Sequence, residues 1–212
     1  MPSCWYYWPW PDLLKLMFEL IYPYDPAPVL PLPTADNPGS HARPGCEMVP
    51  VVEENGLVIG QAARIDVHGG TMLLHPVIHL HIINRNGELF IQRRSFRKRS
   101  FPGMWDTAVG GHIDYGELLE TALFREASEE LGFRDFNPVY LKTYLWESPR
   151  ERELINVFAA VGNFHLDPHN EEVLEGRYWS MEEIEASIGK GLFTPNFEQE
   201  FASIKDTLLA LL

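Results

Sequence analysis

Short apolar runs and stretches of alternating apolar and polar residues dominate the chain from Met48 onward. Runs of this kind, bounded by glycine, proline and asparagine, are typical of β-strands. They predict strands around Val51 and at Val58–Ile59, Ala63–Val67, Pro76–Asn84, Leu89–Arg94 and Met104–Val109. The pair Asn86-Gly87 separates two of these runs and predicts a hairpin turn between them.

The second half of the chain adds helices to this pattern. Glu117–Leu131 contains no glycine or proline and predicts a helix that ends at Gly132. An antiparallel pair of strands is predicted at Val139–Trp146 and Ile155–Val161. A strand near Arg177–Trp179 and helices from Met181 and from about Asn196 follow. Strands before, between and after helices predict an α+β fold with a mixed β-sheet in layers.

Residues 1–47 differ from the rest in composition. Eleven of the 17 prolines fall within residues 1–50, too densely for a helix or a central strand. Residues 12–22 are apolar at helical spacing, and the remainder is interpreted as an extended linker. A secretory signal fits poorly, because no basic segment precedes the apolar stretch and acidic residues interrupt it.

The prediction is therefore an accessory extension at residues 1–47 and one domain at residues 48–212. Two alternatives remain open for the extension. One is an amphipathic helix that docks on the domain, on a partner or on a membrane surface. The other is that the start of the chain is mis-assigned and that the protein begins at Met48, where the regular pattern begins.

Composition and charge narrow the classes of function. The 212 residues carry 17 basic and 30 acidic side chains, which gives a formal net charge of −13. This balance argues against a nucleic-acid polymer as partner. Two cysteines make neither a disulfide framework nor a zinc site, and no apolar stretch reaches the ~18 residues of a membrane span. A cytoplasmic globular protein is expected.

Acidic side chains cluster on the helix predicted within residues 111–133. Glu126, Glu129 and Glu130 are spaced i, i+3 and i+4, so their carboxylates project from one side of the helix. Crowded like charges are stable when a cation neutralises them, and Mg²⁺ or Mn²⁺, which prefer oxygen ligands, would do so. The alternative is a solvated acidic face, as on most Glu-rich helices.

The same segment matches the pattern GX5EX7REUXEEXGU at all its fixed positions, which are Gly111, Glu117, Arg125, Glu126, Glu129, Glu130 and Gly132. Ala127 and Phe133 fill the two hydrophobic positions, although neither is the usual bulky aliphatic residue. This pattern is the Nudix box. Over roughly residues 48–190 the domain resembles the Nudix hydrolases.

The resemblance implies an α/β/α sandwich and the cleavage of a nucleoside diphosphate linked to another group, by attack of water at phosphorus. It implies metal ligands at Glu126, Glu129, Glu130 and the carbonyl oxygen of Gly111. Arg125 would orient the glutamates, and Glu117 would brace the loop before the helix. Metal-bound water would be the nucleophile. Glu129 or Glu130 would help to deprotonate it, and spacing does not decide between them.

A basic segment precedes the box in this acidic chain. Arg93, Arg94, Arg97, Lys98 and Arg99 lie between two predicted strands. Beside an acidic metal site they are expected to hold the diphosphate of the substrate, with Arg93, Arg94 and Lys98 as the leading candidates. The alternative is a solvated basic loop.

The region from Glu53 through His112 also resembles one Nudix branch in particular, that of isopentenyl-diphosphate isomerase. The isomerases build a metal site from histidines and carboxylates. The matching positions here are His68, His75, His112, Glu151 and Glu153. Such a set would hold Mn²⁺, Mg²⁺ or Zn²⁺. Strand parity places His79 and His81 on the same face as His75.

One departure separates this chain from the isomerases. They need a cysteine immediately before the Gly-His pair, where this chain has Gly110, and neither Cys4 nor Cys46 is close to it in sequence. Glycine supplies neither an acid nor a base. A hydrolase is therefore favoured, and an isomerase with an unusual acid and a non-catalytic nucleotide-binding module are the alternatives.

The expected partner is a small-molecule diphosphate or nucleotide, and a homodimer is also considered. A nucleotide base would need a stacking surface. The candidates are Phe101, Trp105, Tyr144 and Trp146, although each of them is more typical of a hydrophobic core.

Overall fold

The computed structural model describes residues 46–168 and 170–212, so the predictions for residues 1–45 lie outside the described part. The strands are Met48–Val52 (β1), Val58–Ala63 (β2), Leu74–Ile83 (β3), Leu89–Arg94 (β4), Trp105–Asp106 (β5), Val109–His112 (β6), Val139–Glu147 (β7), Arg152–Val161 (β8) and Val173–Trp179 (β9). The helices are Arg64–Val67 (α1), Leu119–Leu131 (α2), Met181–Ser187 (α3) and Pro195–Leu209 (α4).

Seven strands form one mixed sheet. Its main path runs β5-β4-β3-β8-β7, with β6 paired to β3 and β9 paired to β4. The pairing of β3 with β8 is parallel, and the other pairings in this sheet are antiparallel. Strands β1 and β2 form a separate antiparallel pair. The predicted mixed sheet is confirmed.

Strand β3 is the centre of the sheet, and all ten of its residues are buried. Because successive side chains point to opposite faces, each face of β3 contributes to a different core. On one face Ile78, Leu80 and Ile82 pack against the apolar side of α2. On the other face Val77 packs with the apolar side of α4, including Phe201. Helices on both faces make the α/β/α sandwich that the Nudix resemblance implied.

Helix α2 ends where the sequence predicts. Gly132 adopts the left-handed conformation at φ 61°, and its N–H reaches the carbonyl oxygen of Ser128 at 3.0 Å. A residue with a Cβ is strained in that conformation, which is why glycine favours this position. The helix begins at Leu119 rather than at Glu117, so Glu117 lies in the preceding loop.

Two predicted strands differ from the structure. The run Ala63–Val67 is not a strand: β2 ends at Ala63 and one helical turn follows. Within that turn Val67 is buried, while Arg64 is half-buried and forms hydrogen bonds of 2.8 and 2.9 Å with the carboxylate of Glu47. The apolar run thus packs as a turn, which carries the chain out of the hairpin toward His68.

The second difference is the single strand predicted at Met104–Val109. It is split into β5 and β6, because Asp106 turns its carboxylate back to accept the Thr107 N–H at 2.9 Å. Asp106 also accepts a hydrogen bond from Thr194 at 2.8 Å, at the start of α4. The split lets β6 pair with β3 and not with β4. Among the described residues, no helix is long and apolar enough to cross a membrane.

Candidate active site

A cavity of about 650 Å³ opens at one end of β3, beside β6. Its wall includes both glycines of β6, His112, and residues 97–101 of the loop after β4. Two groups of side chains lie near this cavity. The glutamates of α2 contact the glycines of β6 without lining the cavity themselves, and a cluster of histidines and glutamates joins the end of α1 to β3, β6 and β8.

The first group is held together by Arg125. The guanidinium of this residue forms hydrogen bonds to Glu117 at 2.8 and 2.9 Å, to Glu126 at 2.8 Å and to Glu129 at 3.3 Å. It also donates to the carbonyl oxygen of His112 at 2.9 Å. One side chain thus ties the loop before α2, the helix itself and the end of β6. Hydrogen bonds from Arg125 hold the pKa of Glu117 below its ordinary value against the effect of burial.

Glu130 is the most enclosed of the three helix glutamates, with 3% exposure. Its carboxylate accepts hydrogen bonds from the side-chain amide of Gln92 at 2.8 Å and from the Gly110 N–H at 3.2 Å. Burial raises the pKa of Glu130 to about 7 and raises that of Glu126 as well. Glu129 differs, because its side chain is 60% exposed. A carboxylate that is costly to bury as an anion is well suited to a site that a cation completes.

Gly111 is required by the position of Glu126. A Cβ placed on Gly111 would lie 2.1 Å from Cδ of Glu126, well inside van der Waals contact. The missing side chain lets the carboxylate lie directly against β6, next to the carbonyl group that the resemblance implies as a ligand.

We expect Gly111→Ala to displace Glu126 and to raise the Mg²⁺ concentration needed for half-maximal activity. A misplaced metal-binding group costs about 10- to 100-fold in metal affinity. The measurement is a Mg²⁺ titration of activity together with direct calorimetry. Gly60→Ala is the matched control, because a Cβ there meets nothing within 4 Å. An unchanged Mg²⁺ titration in Gly111→Ala would show that Glu126 is not placed by this contact.

The second group contains the five residues expected to form a histidine and glutamate site. One ligand atom from each of His68, His75, His112 and Glu153 lies within 4.8 Å of the other three. His75 and Glu153 are register partners in the parallel strands β3 and β8, which explains their proximity. Glu151 joins the group through a hydrogen bond with Nδ1 of His68.

The chemistry of this histidine and glutamate cluster fits a metal ion. Nε2 of His75 and Nδ1 of His112 are buried and have no hydrogen-bond partner, an arrangement that costs free energy unless a ligand is bound. Nε2 of His68 and Nε2 of His112 lie 2.8 Å apart. Burial lowers the pKa of His75 to about 4 and lowers that of His112 well below its ordinary value. Both imidazoles are thus neutral at pH 7, which is the form that binds metals.

Four of the five side chains of the basic segment border the cavity. Arg94 and Lys98 border the cavity, as do Arg97 and Arg99. Arg94 pairs with Asp106 at 2.9 Å, and Lys98 forms an ion pair with Glu172. Arg93 does not line the cavity: strand alternation turns it away, and it pairs with Glu175 at 3.0 Å.

The four aromatic candidates are also divided. Phe101 and Trp146 border the cavity, whereas Trp105 packs edge-to-face on Trp179 in the core. The hydroxyl of Tyr144 donates a hydrogen bond of 2.8 Å to Glu200. Two aromatic residues on the same face of a strand can thus differ: one borders the cavity and the other packs in the core.

Two buried polar residues near the site were not predicted from the sequence. Gln92 interrupts the apolar part of β4 and holds Glu130. Glu200 lies on the apolar face of α4 between Phe197 and Phe201, is 1% exposed, and contacts His79 and His81. In both cases the available signal was a polar residue at a position where the periodicity demands an apolar one.

Comparisons with known proteins agree with this arrangement. The family model of the NUDIX domain matches residues 73–197. An isopentenyl-diphosphate Delta-isomerase of Brevibacterium linens is 30% identical over 167 residues, which are 75% of this chain and 92% of that protein. An uncharacterized Nudix hydrolase of Nostoc sp. is 35% identical over 121 residues, 57% of this chain and 70% of that protein. The crystal structure of DR0079 from Deinococcus radiodurans has 26% identity and a TM-score of 0.65, covering 74% of this chain and 98% of that one.

A mixed sheet between helices, with a glutamate helix beside a cavity, defines an enzyme of the Nudix hydrolase class. The chain belongs to the Nudix family, and it resembles the isomerase branch of that family as well.

Proposed function

We propose that the protein is a divalent-metal-dependent pyrophosphohydrolase that cleaves a nucleoside diphosphate derivative or a nucleotide. The observation that carries this proposal is the arrangement of the α2 carboxylates. Glu126 lies against Gly111, Glu130 is buried beside Gly110, and Arg125 bridges Glu126 and Glu129. A binding module has no need for three carboxylates held together on one helix beside β6.

Glu126, Glu129, Glu130 and the carbonyl group of Gly111 are the residues that would hold Mg²⁺ or Mn²⁺. When bound, such a cation neutralises the diphosphate and lowers the pKa of a coordinated water. Arg125 orients the glutamates through its hydrogen bonds to Glu126 and Glu129. Gln92 fixes the carboxylate of Glu130 by a 2.8 Å hydrogen bond. Glu129 and Glu130 both remain candidates for the base that takes a proton from the attacking water.

Positive charge for the diphosphate would come from the last residue of β4 and the loop that follows it. Lys98 and Arg94 border the cavity, and each is already paired with one carboxylate. Pairing holds these long side chains in place before the substrate arrives. Arg97 and Arg99 extend the same cationic rim.

The histidine and glutamate cluster is proposed as a second metal site. Its ligands would be His68, His75, His112 and Glu153, and Glu151 would orient His68. Three imidazoles with one carboxylate suit Zn²⁺ or Mn²⁺ better than Mg²⁺, because nitrogen ligands favour transition metals.

An isomerase is the second candidate function, and two observations favour it. The histidine and glutamate cluster matches the isomerase positions in sequence, and Cys46, which is exposed, borders the same cavity. The hydrolase is preferred because Gly110 carries no acid or base and because the glutamates of α2 are complete. A cytoplasmic location and a homodimer stay predictions.

The experiment that tests the proposal is a substrate screen of the purified full chain. Nucleoside di- and triphosphates, dinucleotide cofactors, sugar nucleotides and isopentenyl diphosphate are incubated with Mg²⁺, Mn²⁺ or EDTA. We expect metal-dependent release of phosphate or of a nucleoside monophosphate from at least one nucleotide class. Deuterium exchange from solvent into isopentenyl diphosphate without hydrolysis would establish the isomerase instead. Nucleotide binding without turnover at any metal concentration would indicate a binding module.

A further inference from the structure

A buried carboxylate joins helix α4 to the sheet beside the cavity. Glu200, on α4, accepts hydrogen bonds from Nδ1 of His79 at 3.0 Å, from Nε2 of His81 at 2.5 Å and from the hydroxyl of Tyr144 at 2.8 Å. All four side chains belong to the layer between the sheet and α4. A buried carboxylate with three donors is well satisfied, so the group forms a rigid network.

His79 and His81 differ in what they face. His81 is 0% exposed and does not border the cavity, so its contacts are internal to the fold. His79 is 6% exposed and borders the cavity. Because Nδ1 of His79 is taken by Glu200, the other ring nitrogen, Nε2, is the one available to a ligand.

Gly110 leaves this edge of the His79 ring uncovered. A Cβ on Gly110 would lie 3.6 Å from Cδ2 and 3.8 Å from Nε2 of His79, so the absence of a side chain at this position leaves space beside the ring edge. The Gly110 N–H donates to Glu130. Nε2 of His79 therefore lies near β6, whose Gly110 contacts Glu130 and whose His112 belongs to the histidine and glutamate cluster.

The charge of His79 suits an anionic ligand. Burial by itself would lower the pKa of His79, but the charge of Glu200 and the hydrogen bond to it prevail and raise the pKa to about 9. The same pairing holds the pKa of Glu200 well below its ordinary value. The pairing with Glu200 thus favours the form of the ring that carries a proton on each nitrogen, and this ring borders the cavity.

We propose that His79 is a phosphate-binding residue, which donates a hydrogen bond from Nε2 to the diphosphate of the substrate, and that Glu200 is its positioning residue. This inference rests on the proposed function, because it assumes that a diphosphate occupies the cavity. The observation that separates it from a purely structural role is the difference between His79 and His81. Both histidines bind Glu200, and only His79 reaches the cavity.

The test uses two substitutions that each keep one half of the imidazole. In His79→Asn the amide can still donate to Glu200 in place of Nδ1, but nothing replaces Nε2. In His79→Gln the longer side chain places an amide N–H near the position of Nε2. A charge-assisted hydrogen bond to phosphate contributes about 10- to 100-fold. We expect His79→Asn to weaken binding of methylenediphosphonate, a non-hydrolysable diphosphate, by about that factor in calorimetry with Mg²⁺ present.

The matched variants distinguish a role of His79 in ligand binding from a purely structural role. His79→Gln is expected to bind methylenediphosphonate within about fivefold of the unmodified protein, because it restores the donor. His81→Gln keeps an Nε2-like donor to Glu200 and has no access to the cavity, so its binding should be unchanged. If His79→Asn binds as tightly as the unmodified protein, or if His79→Gln is as impaired as His79→Asn, the proposal is overturned.

A second measurement does not depend on any variant folding. In the unmodified protein labelled with ¹⁵N-histidine, methylenediphosphonate should shift the Nε2 signal of His79 and leave that of His81 in place. Absence of binding, or binding without that shift, overturns the role of His79. If the diphosphate binds and shifts His79 but no substrate is hydrolysed, the proposed function fails and the phosphate contact stands. If hydrolysis is found and His79 does not respond, only the present inference fails.

Discussion

Replacing Glu130 with glutamine is expected to lower kcat by about a thousandfold at saturating Mg²⁺. Glutamine has the size of glutamate and can still accept the hydrogen bond from Gln92, so the packing around α2 should be kept. The substitution removes one negative charge at the place where a cation would bind. Loss of such a ligand costs several kcal/mol of transition-state stabilisation, and about 4 kcal/mol corresponds to a factor of about a thousand.

The control for this prediction is Glu120→Gln on the same helix. Glu120 lies in the first turn of α2 and outside the set of three carboxylates, so its loss should leave kcat within about twofold. Without metal, the unfolding temperature of Glu130→Gln should be as high as that of the unmodified protein, because a buried carboxylate is costly to keep charged. Activity within tenfold of the unmodified protein would mean that Glu130 does not bind the metal.

Replacing His75 with alanine is expected to weaken metal binding at the histidine and glutamate cluster by about a hundredfold or more. His75 is fully buried, its Nε2 has no hydrogen-bond partner, and it faces Glu153 at 3.9 Å. Removing it leaves three of the four ligand atoms that lie together. The measurement is the number of Zn²⁺ or Mn²⁺ ions bound per chain, by titration and by elemental analysis after dialysis.

His165→Ala is the control, because His165 is exposed and outside the cluster. Its metal content should equal that of the unmodified protein. If His75→Ala also retains its full content of Zn²⁺ and Mn²⁺, the cluster is not a metal site. Comparison with Glu130→Gln separates the two proposed sites, because each substitution should weaken the binding of one class of ion and leave the other unchanged.

Local features of the chain carried most of the information on the α2 site. The spacing of Glu126, Glu129 and Glu130 predicts three carboxylates on one side of a helix because helical geometry fixes their relative positions. Gly132 ends the helix as expected, since only the left-handed conformation allows the chain to turn there without strain. Both statements depend on residues within about four positions of each other.

The strand errors show where such reasoning fails. Ala63–Val67 is apolar enough for a strand, yet it forms a helical turn, because Arg64 is held by Glu47 from 17 residues away in the chain. Met104–Val109 breaks into two strands where the Asp106 carboxylate accepts the Thr107 N–H, and the same carboxylate is held by Thr194, 88 residues later. Contacts between distant segments override local preference, and periodicity does not reveal them.

Local patterns in the chain were sufficient to predict the fold class and the helix with its three glutamates, and the family resemblance identified the five residues of the histidine and glutamate cluster. Which of the remaining polar residues belong to the site depends on tertiary contacts. The tertiary structure directs Arg94 and Lys98 to the cavity and Arg93 to Glu175, and it brings Glu200 from the last helix to His79. The physical reason is that a carboxylate or an imidazole is costly to bury alone. Its role is therefore set by the partner that folding places beside it, however far away that partner lies in the chain.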